Sequence, residues 1–159
     1  MALAGPTRAG PTGAGPTGTA SRETAAARSP AHDMFDRDVA SRGLGMELVA
    51  AGDGQATVRM RVTGAMVNGH EIAHGGYLFL LADTAFACAC NSHGPVTVAA
   101  GADISFLRPA RAGDLLEAYA QERATTGRSG IYDVTVTCDG AVVAEFRGRS
   151  RVISQGRPA

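Results

Sequence analysis

Gly75-Gly76-Tyr77-Leu78-Phe79-Leu80-Leu81-Ala82-Asp83-Thr84-Ala85-Phe86-Ala87-Cys88-Ala89-Cys90-Asn91 reads as one helix, apolar on nearly every side, with a single carboxylate in its middle. A helix without a polar face must be buried, so the rest of the chain has to enclose it. Its small residues, Ala82, Ala85, Ala87 and Ala89, let neighbouring backbone come close. Asp83 costs stability there unless it is hydrogen-bonded to local backbone or faces a polar cavity. The diglycine at the start leaves backbone N–H groups open to a ligand at the positive end of the helix dipole. A carbonyl-polarising helix end and a desolvated acid on one element point to an active site.

The flanking segments switch to a period of two. Before the helix, residues 31–42 fit a short amphipathic helix with Met34, Phe35 and Val39 near one face and Gly43 as its stop. Residues 44–51 read as a strand ended by Gly52-Asp53-Gly54, a hairpin signal. In residues 55–63, Ala56, Val58, Met60 and Val62 alternate with Thr57, Arg59 and Arg61, and 64–74 is irregular. After Gly94-Pro95, residues 96–107 form a long strand with Val96, Val98, Ile104 and Phe106 assigned to one face. Residues 114–126 follow, then the turn Gly127-Arg128-Ser129-Gly130. Strands 131–138 and 142–152 are joined at Asp139-Gly140. In the last strand Val142, Ala144, Phe146, Ser150 and Val152 share one face, and Glu145, Arg147, Arg149 and Arg151 the other. Helical and strand periods do not alternate regularly, which argues against a parallel α/β sheet. The expected class is α+β, a curved antiparallel sheet wrapped around one central helix.

The chain of 159 residues suits one domain, expected over 31–153, with low-complexity tails at 1–30 and 154–159. The first tail repeats Gly-Pro-Thr at Gly5, Gly10 and Gly15 and lacks the apolar core of a signal peptide. Zero net charge and no long basic run argue against nucleic acid as a partner. The apolar helix is short for a bilayer and carries Asp83, which argues against a membrane. All 15 basic residues are Arg, so Schiff-base chemistry on a lysine is excluded. Three cysteines, Cys88, Cys90 and Cys138, form no disulfide framework and fit a reducing, cytoplasmic setting.

His70-Glu71-Ile72-Ala73-His74 matches the zinc-protease pattern H-E-x-x-H. That chemistry needs both imidazoles on one helix, yet Asn68-Gly69 precedes the motif and Gly75-Gly76 follows it. A third ligand is missing where the known patterns place one. No metal site is expected from this motif.

Asn68-Gly69-His70, His74-Gly75-Gly76, Leu81-Ala82-Asp83-Thr84-Ala85-Phe86-Ala87, and later Phe106-Leu107-Arg108-Pro109 with Gly113-Asp114, resemble the hotdog-fold acyl-CoA thioesterases. Cys90-Asn91-Ser92, Ile131-Tyr132-Asp133 and Phe146-Arg147-Gly148 extend the resemblance toward the PaaI-like subfamily of phenylacetic acid degradation. The resemblance implies hydrolysis of aryl or acyl CoA thioesters without metal or redox cofactor, coenzyme A being part of the substrate. It also implies that the Gly75 N–H polarises the thioester carbonyl and that Asp83 acts as nucleophile or general base. Asn68 and His74 match positions that orient water or shape the oxyanion site. A polar amide that relatives carry near the N-terminal helix aligns here with Arg37, a departure at the substrate-facing edge.

Gly75 and Asp83 stand roughly 12 Å apart along a helix axis, whereas reacting atoms must approach to about 3–3.5 Å. Gly75 of one subunit is therefore expected to face Asp83 of another across a twofold, giving two composite sites per dimer. The resemblance adds pairing of dimers into tetramers. Phe79 and Phe86 are candidates for an acyl pocket as well as for core packing. Arg128 with Ser129 and Gly130 is the first candidate for CoA phosphates, followed by Arg108 and the Arg147/Arg149/Arg151 row. The rival from another class is a non-catalytic acyl-CoA-binding hotdog module, which would have no need of Asp83.

Overall fold

The computed structural model describes residues 28–154; the Gly-Pro-Thr repeats and the last five residues, expected as unstructured tails, lie outside the described residues. The central helix, α3, spans Gly75–Asn91. Ahead of it come two short helices, α1 (Pro30–Asp36) and α2 (Val39–Gly43), and a hairpin of β1 (Glu47–Gly52) and β2 (Gln55–Arg61). After it come β3 (Val96–Phe106), β4 (Leu115–Thr126), β5 (Ser129–Cys138) and β6 (Ala141–Ser154).

The six strands form one antiparallel sheet in the order β1-β2-β4-β5-β6-β3, which curves around α3. Val58, Met60, Leu116, Ala118, Val134, Val136 and Ala144 project from the sheet onto the helix, and each is at most 1% exposed. On the helix Leu81, Ala82, Ala85, Cys88 and Ala89 are fully buried, their small side chains setting the close helix–sheet distance. This is the hotdog architecture that the apolar helix requires.

Two hairpin turns follow from their sequences. Asp53 and Gly54 have φ of 50° and 74°, and Asp139 and Gly140 have 47° and 78°. Both are two-residue turns with successive left-handed residues, which Asp-Gly tolerates and which match the strand twist.

Three expectations need correction. The helix expected over 31–42 is broken: Asp38 is extended and its carboxylate accepts the Ser41 N–H at 3.0 Å, capping α2 as a separate helix. In β3 an extra residue at Ala100 shifts the register, since Ala99 pairs with Ser150 and Gly101 with Arg149. Paired residues share a face, so Ile104 and Phe106 face inward with Phe146 and Ala144. Val98, opposite Arg151, faces outward. In β6 a similar bulge puts Val142 opposite Thr137 and buries Val143 instead. A bulge reverses faces partway along a strand while leaving the alternation on either side intact.

The outer face of the sheet neutralises most of its arginine row. Arg147 grips Asp133 with two hydrogen bonds at 2.6 and 2.9 Å, and Arg149 reaches Asp103 at 2.9 Å. Arg151 donates to the Ser129 hydroxyl at 3.2 Å.

Candidate functional site

The site is built on the N-terminal end of α3. His74 is the N-cap, extended at φ −64° and ψ 131°, and its Nδ1 accepts the Gly76 N–H at 3.1 Å. Its own N–H donates to the Met66 carbonyl at 2.8 Å, which anchors the helix start to the preceding loop. Tyr77 N–H returns to the His74 carbonyl at 2.9 Å. Among the described residues the Gly75 N–H, lying between these bonds, has no acceptor. A first-turn N–H has no intrahelical partner by geometry, and here the cap goes to its neighbour. The free donor sits at the positive end of a 17-residue helix.

Asn68 organises the loop that faces this donor. Its N–H donates to the Ile72 carbonyl at 2.8 Å, its carbonyl accepts the Glu71 N–H at 3.0 Å, and its Oδ1 accepts the His70 N–H at 2.8 Å. The side-chain amide N–H groups have no acceptor among the described residues. In this turn Glu71 is left-handed at φ 59°, and residues 70–74 precede the helix rather than lie within it. His70 and His74 are thus not an i, i+4 helical pair, and the H-E-x-x-H match does not have the geometry of a zinc helix. Among the described residues no group of three His, Cys, Asp or Glu side chains is placed to hold a metal ion.

A cleft of about 510 Å³ opens at this helix end, lined by Asn68, Gly75, Leu78, Phe106 and Arg108 among others. Most of its lining residues are apolar, and Asn68 and Arg108 are the two with polar side chains. Arg108 is exposed, and its side chain has no hydrogen bond or ion pair among the described residues. Asp83, two turns further along α3, does not line this cleft.

Asp83 is half-buried and has no hydrogen-bond or ion-pair partner among the described residues. Burial alone pushes its carboxyl above the usual aspartate range. An acid held this way is a stronger base than a surface carboxylate. It also lies one residue from Thr84, whose hydroxyl stands 2.9 Å from that of Ser41, itself bonded to Asp38 at 2.6 Å. This buried pair of hydroxyls, which docks the break between α1 and α2 onto the Asp83 turn, was not read from the sequence; the spacing Asp38-x-x-Ser41 was the available signal. Arg37 sits exposed at this break.

The other candidates are placed elsewhere. Phe86 is 1% exposed and packs edge-on against Tyr132 and obliquely against Phe146. Phe79 is half-buried with its ring T-stacked on Phe146 at 5.4 Å. Both rings therefore belong to an aromatic cluster under the sheet. Arg128, Ser129 and Gly130 border a separate recess of about 70 Å³ with Cys90 and Tyr132. Arg128 is tied back to the Val152 carbonyl at 2.7 and 2.9 Å. Cys88 and Cys90 are buried, and burial pushes both thiols up to about 12, which leaves them un-nucleophilic. No helix among the described residues is long and apolar enough to cross a membrane.

The family model "Thioesterase superfamily" matches residues 70–145, from the loop before α3 into β6. The chain is 48% identical over 124 residues to the acyl-coenzyme A thioesterase PaaI of Escherichia coli K12, covering 77% of this chain and 89% of that protein. The solved structure of E. coli PaaI, from the phenylacetic acid degradation operon, superposes with a TM-score of 0.78 at 45% identity, over 80% of this chain and 93% of that one. A Streptococcus mutans UA159 protein solved bound to acetyl CoA superposes with a TM-score of 0.68 at 26% identity, over 70% of this chain and 91% of that one. With this level of identity over most of both chains, the chain belongs to the thioesterase superfamily, as a PaaI-like hotdog thioesterase and hence a thioester hydrolase.

Proposed function

We propose that this protein hydrolyses acyl-CoA thioesters to the free acid and CoA, with phenylacetyl-CoA-like aryl groups as the preferred acyl class. The observation that carries the reading is the free Gly75 N–H beside a capped neighbour, on the same helix as an unpartnered, desolvated Asp83. The name of the E. coli relative and the acetyl CoA in the S. mutans structure support CoA as the carrier.

The thioester carbonyl oxygen accepts the Gly75 N–H, and the helix dipole stabilises the negative charge that develops as the carbonyl carbon becomes tetrahedral. Asp83 either attacks that carbon, forming an acyl-carboxylate anhydride that water then opens, or takes a proton from the attacking water. The carbon–sulfur bond breaks, and the CoA sulfur leaves as thiolate to be protonated. No metal or redox cofactor is called for in either route. Asn68 and His74 shape the donor end: His74 by capping Gly76, Asn68 by offering its amide into the cleft. Arg108, unengaged and in the same cleft, is the leading cation for CoA phosphate. Arg128 keeps its charge near the Ser129-Gly130 turn and is the second. Phe79 and Phe86 act on substrate through packing, behind the surface.

Gly75 and Asp83 serve one site only if they come from different subunits, so the working unit is a C2 dimer with two composite sites. The free edge of the sheet supports it. Edge strand β3 is eleven residues long, and Val96 and Val98 on it are 44% and 42% exposed. A long apolar edge needs covering, and a second copy of β3 fits it with matched twist. Pairing of dimers into tetramers and a cytoplasmic location complete the reading.

The test is free-thiol release from phenylacetyl-CoA by wild type and Asp83→Asn side by side. Release by wild type, with a loss of kcat on the order of 10²-fold or more in a folded variant, is expected. A change under about threefold would remove Asp83 from the chemistry, and wild-type binding without release would point to an acyl-CoA-binding module.

A further inference from the structure

The absence of a side chain at Gly75 has a cause in the fold. Its φ is not in the left-handed region, so the backbone does not demand glycine there. A Cβ at Gly75 would instead stand 2.8 Å from Phe106 Cζ and 3.2 and 3.3 Å from its two Cε atoms. Real Cβ atoms do not come that close, so the glycine makes room for the ring. Phe106 closes β3, faces inward opposite Ala144, and is still 53% exposed. Part of the ring therefore lies on the backbone of Gly75 and part opens to the cleft that both residues line.

The ring and the donor meet at one residue. The nitrogen is about 1.5 Å from the Cα on which the ring rests, so a carbonyl oxygen bound to that N–H lies within a few ångströms of aromatic carbon. Water is the competitor for an N–H at an open helix end, and a hydrogen bond to a developing oxyanion strengthens when water is kept away. An aromatic edge against the donor's own backbone does this without offering a competing acceptor.

We propose that Phe106 is a positioning residue of the hydrolytic site, acting through Gly75: its ring, seated on the Gly75 backbone, shields the donor from water so that the N–H is available to the thioester oxygen. The inference rests on the reading of Gly75 as that donor. It predicts an effect on the chemical step common to all acyl groups, because the ring acts at the carbonyl and not on the acyl chain. It further predicts that Gly75→Ala is harmful even though alanine keeps the N–H, because the new methyl group displaces the ring.

The experiment measures kcat and KM for phenylacetyl-CoA and hexanoyl-CoA with the full chain. The variants are Phe106→Ala, Phe106→Leu, Gly75→Ala and the Gly75→Ala/Phe106→Ala double, with thermal melts alongside. Phe106→Ala is expected to lower kcat roughly tenfold on both substrates with KM changed less than about threefold. Phe106→Leu, still apolar and space-filling, should recover most of the loss. Gly75→Ala should match Phe106→Ala, and the double variant should lose much less than the product of the two, because both act on one shield. An unchanged kcat in Phe106→Ala would overturn the inference alone. So would a loss confined to phenylacetyl-CoA, which would make the ring an acyl-binding wall, or a multiplicative double variant. Wild type inactive on both substrates would overturn the donor reading, and this inference with it.

Discussion

The imidazole Nδ1 of His74 accepts the N–H of Gly76 at 3.1 Å, and that bond decides which donor the helix end presents. With Gly76 capped and Tyr77 bonded back to the His74 carbonyl, Gly75 alone is left open among the described residues. His74→Ala is therefore expected to cost about 0.5–2 kcal/mol by urea unfolding, the range for losing an N-cap acceptor. His74→Asn, which keeps a capping oxygen, should recover most of that. Activity should follow the cap: His74→Ala opens a second donor and frays the turn, and kcat falls.

Removal of the Gly75 N–H itself is possible at little backbone cost. Proline is favoured at the first helical position, and His74 already has the extended conformation required before it. The ring atoms of Gly75→Pro meet Phe106, a half-exposed side chain that can swing aside. The expected result is a folded protein by circular dichroism with kcat lowered on the order of 10²–10³-fold, the scale for losing one oxyanion donor. A fall no greater than that of Gly75→Ala would mean that the N–H contributes nothing.

Asp83 predicts two pH dependences with definite signs. Burial raises its folded pKa above the unfolded value. The native state thus binds the proton more tightly than the unfolded chain does. The ionised carboxylate consequently lowers stability at neutral pH; this penalty shrinks as pH falls through the folded pKa and is gone below the unfolded one. Asp83→Asn should melt above wild type at pH 7, with the gap closing toward acid. In catalysis the working form is the carboxylate, so kcat/KM should rise with pH on a limb whose midpoint lies above the ordinary aspartate range. A melting difference that widens toward acid would contradict the assignment.

The Phe86 ring explains a second glycine. A Cβ at Gly148 would stand 2.7 Å from Phe86 Cδ2 and Cε2, and that ring is fully enclosed. Neither side can yield easily, so Gly148→Ala should cost about 1–3 kcal/mol by chemical denaturation. Phe86→Leu in the same background should return part of it, which a ring standing free in an acyl pocket would not do.

What could be read from the sequence follows from how local each feature is. The two Asp-Gly hairpins are legible because their left-handed dihedrals belong to the residues themselves. The buried central helix is legible because its apolar character has no charged interruption but Asp83. The bulge at Ala100 is not, since one inserted residue leaves good alternation on both sides and only the partner strand reveals the slip. The break at Asp38 hides within a helix-compatible stretch until its carboxylate is seen to cap Ser41. At the site, His74, Gly75, Asn68 and Arg108 carry recognisable residue types, and one cleft gathers three of them. The contact of Phe106 with Gly75 depends on where β3 ends after crossing the sheet, which no local pattern encodes.

The composite site makes the sharpest demand on the assembly. In a homodimer of Asp83→Asn every site lacks its acid, and in one of Gly75→Pro every site lacks its donor. When the two variants are co-expressed, random pairing makes half the dimers mixed. Each mixed dimer assembles one site with both defects and one with neither. About a quarter of wild-type activity should therefore return, although neither parent is active. If both groups served a site within one subunit, mixing would restore nothing. Val98→Arg, which places a charge on the outward face of the β3 edge opposite Arg151, should weaken pairing and abolish the recovery together with wild-type activity. Light scattering on the same samples ties the loss to dissociation, because an active monomer of Val98→Arg would show that the acid and the donor do not need a second copy.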